Sequence, residues 1–179
     1  MDAAHLHLLL NHAPIVGTVI GTVLLAWAVI TRQASVRAAA ASVLVAMALV
    51  AIPVYLSGEP AEESVEELPG VSEAFIEDHE DAAKWSLVAM EVAGALALSG
   101  IVASRKGHPL ADALGKATLV VGVITCVLMA RTGNLGGQIR HTEIRGGSGS
   151  TEGAGAIDHG TPADSGASGQ SKKSAGDDD

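Results

Sequence analysis

Between two strongly apolar stretches of this chain lies Ser57 to Asp81, SGEPAEESVEELPGVSEAFIEDHED, with ten carboxylates, one histidine and neither Lys nor Arg. A segment so charged cannot sit in hydrocarbon, because each buried charge or unpaired backbone group costs several kcal/mol. The connector therefore has to stand in water while the blocks on either side bury themselves in lipid.

The apolar blocks lie between about Ala13 and Arg131, rich in Ala, Val, Leu, Ile and Gly and broken by short polar joints. Residues 146–179 are mostly Gly, Ser, Ala and Asp and have too little apolar material for a core, which predicts a disordered tail. The organisation expected is a membrane domain over 1–145 followed by that tail. The net charge of −9 comes from connector and tail, and the few basic residues form no patch for phosphate backbones, which argues against nucleic acid. Cys126 is the single cysteine, so one chain can build neither a disulfide nor a Cys-based zinc site.

A helix needs about 20 apolar residues to cross the hydrocarbon layer. Leu8 to Thr31 supplies the first span, with Pro14 either starting the regular helix or kinking it. The start MDAAHLHLL lacks the basic region of a signal peptide, so this helix is expected to be retained. Ala38 to Leu56 is the second span, bent by Pro53, with Tyr55 at headgroup depth. Gly58-Glu59-Pro60 should stop it, AEESVEEL should form one or two turns over the surface, and Ser72 should cap the next helix. That helix, Glu73 to about Ser104, would be about 50 Å long, so its first turns project into water and Trp85 falls in the interface. About Leu110 to Ala130 is the fourth span, after which Gly136-Gly137 allows either a tight turn or close packing.

Four spans put both termini and the acidic connector on one side. Arg32, Arg37, Arg105, Lys106 and Lys116 mark the other side as cytoplasmic, although Arg131, Arg140 and Arg145 oppose that orientation. The location expected is the cell (inner) membrane, with termini and connector outside the cytoplasm. This parity gathers His5, His7, His12, His79 and His141 at one face with Glu62, Glu63, Glu77, Glu80 and Glu143. Imidazoles from separate helices suit zinc, copper or iron, and two on opposite sides of a macrocycle suit haem. His12, His79 and His141 are the candidate ligands, with His5, Glu77, Glu80 and Glu143 behind them. The plainer reading is that interface histidines only hydrogen-bond headgroups or backbone. His5 and His12, seven residues apart, share a face of a continuous helix, whereas His7 points elsewhere.

HLHLLLNHAPIVGTVIG, GEPAEESVEELPGVSEAFIEDHEDAA and NLGGQIRHTEIR together resemble a bacterial family of small four-helix integral membrane proteins known as a domain of unknown function. The similarity covers about Ala4 to Arg145. Its marks are a His ahead of a Pro, matching His12 and Pro14, and a Gly-Gly followed by a His, matching Gly136, Gly137 and His141. Thr142 stands where many relatives carry Gly. The resemblance implies a four-helix membrane fold and an association with haem or metal in electron transfer.

Glu91 falls deep in the third span, where a carboxylate should be protonated or paired. It is either part of a proton or ion path, or a neutral side chain bonded to Thr18, Thr22, Ser42 or Thr125. Arg131, the other intramembrane polar candidate, should snorkel to headgroups. Gly17, Gly21, Gly94 and Gly100 are small-residue positions for helix packing, inside the bundle or across a homodimer. The acidic connector lacks the order of a calcium loop, and no Ser-His-Asp order, phosphate-cradling loop or zinc-protease motif is present, so the chain does not read as an enzyme.

The sequence thus predicts an all-α, four-helix transmembrane bundle with an acidic outer connector. Its leading functional expectation is a haem b or transition-metal site at the outer face. The alternatives are an accessory subunit of a larger membrane complex and an ion- or proton-coupled transporter using Glu91, the last needing a dimer.

Overall fold

The computed structural model describes residues 3–66, 68–69, 71 and 73–141. The expected Ser72 cap, Glu143 and the tail over 146–179 lie outside the described residues. Within them the protein is helical throughout: α1 (Ala3–Leu10), α2 (His12–Thr31), α3 (Ala34–Leu56), α4 (Gly58–Glu63), α5 (Glu73–Arg105) and α6 (Ala111–Arg140). Four stretches, His7–Thr31, Ala34–Leu56, Glu73–Arg105 and Ala111–Ile139, are long and apolar enough to cross a membrane.

Short connections make successive long helices antiparallel. Helix α5 packs on α6 and α3, and α2 packs on α3 and α6, which closes a four-membered ring. The short helices α1 and α4 pack on each other. One end of the bundle therefore carries α1, α4 and the acidic connector, and the other carries the basic turns at residues 32–37 and 105–110.

The expected spans correspond to α2, α3, α5 and α6, with differences at the boundaries. The first is broken at Asn11, and Pro14 sits in the first turn of α2, where its missing N–H matters least. Gly58-Glu59-Pro60 does not halt helical structure but forms the start of α4. Helix α6 continues through Gly136 and Gly137 to Arg140 instead of ending near Ala130, so no tight turn forms there, and Gly136 is a close-packing position against His79. The basic turn after α5 is closed by Gly107 at φ +64°, with His108 N–H donating to Ala103 O at 2.8 Å and Gly107 N–H to Ser104 O at 3.1 Å. That paired return is a Schellman cap, and only glycine enters the left-handed region there without strain.

The seam between the helices is small and apolar, and the outside is large and apolar. Leu25, Leu44, Met90, Ala40, Ala93 and Ala97 are buried, whereas Val23, Leu49 and Val127 are more than 60% exposed. Thr118 and Thr125, fully buried, donate to the carbonyls of Leu114 and Val121 at 2.8 Å, so their hydroxyls need no interhelical partner. Close approach depends on missing side chains. A Cβ on Gly94 would lie 2.5 Å from Ala48 Cβ across α3–α5, and one on Gly122 would lie 2.8 Å from Thr22 Oγ1 across α2–α6. Gly17 and Gly21 face Met47 and Leu44 of α3, which makes their G-x-x-x-G an internal contact, and Gly100 lies against Leu114. At the basic end an Arg37–Asp112 ion pair ties α3 to α6.

Candidate imidazole centre at the acidic end

His79 stands two turns into α5 and half-buried against α6. Its Nδ1 lies 3.0 Å from Thr132 O. A carbonyl only accepts, so Nδ1 carries the proton and Nε2 keeps its lone pair. The ring reaches that carbonyl because residue 136, one turn further on, is glycine: a Cβ there would come within 3.0 Å of His79 Cε1. Two turns along α5 from His79, Ser86 Oγ meets Thr132 Oγ1 at 2.8 Å, so Thr132 holds α5 through both backbone and hydroxyl.

His7, on α1, is held in the same manner by the end of α3. Its Nδ1 lies 3.2 Å from Val54 O and 3.0 Å from Ser57 Oγ. The Ser57 hydroxyl donates to Val54 O at 2.7 Å, leaving its oxygen to accept. Both neighbours of His7 Nδ1 are therefore acceptors, and the free lone pair is again on Nε2. His7 and His79 lie within electrostatic reach of each other. Two neutral rings from different helices, each anchored through Nδ1, meet the usual condition for metal-binding imidazoles, whose second nitrogen is held by a carbonyl or carboxylate.

The other expected ligands share this end under different circumstances. His12 is exposed, with Nδ1 3.1 Å from Leu8 O of α1, four residues earlier in the chain. His5 and His141 are exposed, as are Glu77 and Glu80, and His141 caps α6, its N–H donating to Gly137 O at 3.1 Å. Among the described residues no three His, Cys, Asp or Glu side chains gather into a group that could hold a metal ion. His7, which the residue spacing does not single out, is the histidine within electrostatic reach of His79. Asn11, between α1 and α2, keeps helical backbone angles (φ −62°, ψ −26°) and its N–H donates to His7 O at 2.9 Å, so nothing at that position resets the seven-residue spacing of His5 and His12.

Acidic groups border the pair. On α4, partial burial and then the carboxylates of Glu80, Glu66, Glu59 and Glu63 hold the Glu62 carboxyl above the usual carboxylate range.

Further along the bundle Glu91 is half-buried, and its Oε1 is buried without a hydrogen-bond partner. The hydroxyls expected to serve it are engaged elsewhere: Thr18 with Pro14 O and Met90 Sδ, Ser42 with Ala38 O, Thr125 with Val121 O, and Thr22 with the Cys126 thiol. Arg131 is exposed. No family model, curated protein or solved structure matches the chain.

Proposed function

We propose that this chain is a multi-pass protein of the cell membrane that holds a transition-metal centre at its acidic end through Nε2 of His79 and His7. The observation that supports this reading is the pair of Nδ1 anchors, Thr132 O for one ring and Val54 O with Ser57 Oγ for the other. Imidazole nitrogen suits zinc, copper, iron and nickel. Two protein ligands leave the remaining positions to water, to a further donor such as Glu62 or Glu80, or to the macrocycle of haem b. In either case the centre supplies electron-transfer or Lewis-acid chemistry, while this chain fixes the tautomer and direction of each ring. The basic end faces the cytoplasm and the centre faces outward, in keeping with the clustering of Arg32, Arg37, Arg105, Lys106 and Lys116.

Elemental analysis and an optical spectrum of the detergent-purified chain test the reading. Bound metal, or a Soret band, is expected in the wild type. His79→Ala and His7→Ala should each lose most of it, and His12→Ala should keep it. Metal-free, colourless protein overturns the proposal, and so does undiminished metal in the His7→Ala/His79→Ala double variant.

A further inference from the structure

At the opposite end of the bundle, an open groove of about 470 Å³ runs between the end of α5 and the start of α6. Its walls are two pairs four residues apart, Leu98 and Val102 on α5, and Leu110, the residue that precedes α6, with Leu114 on α6. Its mouth carries Lys106 and His108. The Gly107 cap fixes the loop that bears both.

The chemistry of the mouth is anion-seeking. His108 Nδ1 accepts from the Leu110 N–H at 3.2 Å, so in the neutral ring Nε2 carries a proton and donates outward. Lys106 is exposed, the two turns at this end are basic, and Arg105 stands next to Lys106 at the end of α5. Asp112 is the one acid in those turns, and Arg37 already pairs with it. An apolar slot in the plane of the hydrocarbon, opening beneath a cationic rim, complements a molecule with one aliphatic tail region and one negative head.

We propose that this groove binds an anionic phospholipid, with an acyl chain between the Leu98/Val102 and Leu110/Leu114 pairs and the phosphate on Lys106 and His108. Basic pockets between helices on the positively charged side of membrane proteins suit such headgroups. The inference rests on the four long helices spanning a bilayer, so its test separates the two. Membranes containing the full-length chain are washed with alkaline carbonate. The protein is then purified in detergent, and lipid retention is read by native mass spectrometry with added phosphatidylglycerol or phosphatidylcholine.

Phosphatidylglycerol should be retained over phosphatidylcholine, and Lys106→Gln should weaken its retention about fivefold. His108→Leu should weaken it further, and Arg32→Gln, outside the groove, should leave it nearly unchanged. Ala103→Phe, which fills the groove without altering any charge, should also displace the lipid. Equal retention of both lipids overturns the site while leaving the membrane reading intact, as does an Arg32→Gln effect as large as that of Lys106→Gln. Full competition by glycerol phosphate identifies a soluble phosphate ligand and overturns the lipid assignment. Release of the chain by carbonate overturns both readings.

Discussion

Gly136 has no side chain, and the His79 ring occupies the room that one would need. A methyl group at 136 must push the imidazole by a few tenths of an ångström and lengthen its 3.0 Å bond to Thr132 O. Alanine also favours the helix by up to about 1 kcal/mol, which offsets the lost contact. Gly136→Ala should therefore leave the thermal midpoint close to wild type while lowering metal occupancy. A fully loaded Gly136→Ala protein would show that the ring position does not govern binding. Glu62 provides a pH test. Its carboxyl holds its proton more tightly folded than unfolded, so the penalty is absent below the ordinary carboxylate value and grows as pH rises through the raised one. Glu62→Gln should raise stability at neutral pH by about a few tenths of a kcal/mol, the scale of exposed charge pairs. As pH falls toward the ordinary glutamate value of about 4.5 the difference should shrink, and below it vanish, in thermal melts. A pH-independent gain would assign the effect to something other than that charge.

Two glycines on α5 look alike in sequence and differ in the structure. Gly94 meets Ala48 Cβ, an atom that cannot rotate away, whereas Gly100 lies 3.6 Å from Leu114 Cβ, an ordinary contact. Gly94→Ala should cost about 1–3 kcal/mol by forcing α3 and α5 apart. Gly100→Ala should gain about 0.5–1 kcal/mol from helix propensity alone. Melting both variants in the same detergent checks the pair, and equal effects would contradict the packing described. The existence and type of the long helices were legible because uninterrupted apolar runs of span length leave few alternatives. The end of α6 was not, since Arg131-Thr132-Gly133-Asn134 and Gly136-Gly137 carry weak helix formers. Contacts from α5, through His79 and Ser86 to Thr132, accompany helix where local preference argues for a break. The candidate centre was half legible. His79 follows from the parity of the helices, but the place of His7 depends on its contacts with Val54 and Ser57 at the end of α3, which no spacing rule supplies. Gly122, against Thr22, passed unnoticed because a single glycine in an apolar run has no pattern around it.

At the scale of the whole molecule, the ring of antiparallel helices separates charge by end: carboxylates over α4 and the start of α5, and lysines and arginines around the turns after α2 and α5. The proposed orientation can be read with single cysteines at Glu66 and Lys106 in a Cys126→Ala background. A membrane-impermeant maleimide applied to intact cells should label the first and spare the second until the cells are opened. Labelling of both from outside, or of Lys106→Cys alone, would reverse or remove the orientation. Such a separation gives the bundle a permanent electric polarity along the axis of its long helices, which in the proposed orientation is the membrane normal. A voltage negative on the cytoplasmic side is worth about 2.3 kcal/mol per elementary charge for each 100 mV. In a respiring cell, that voltage would hold the protein upright in one sense, and losing it would relax that hold while leaving the packing between helices unaltered.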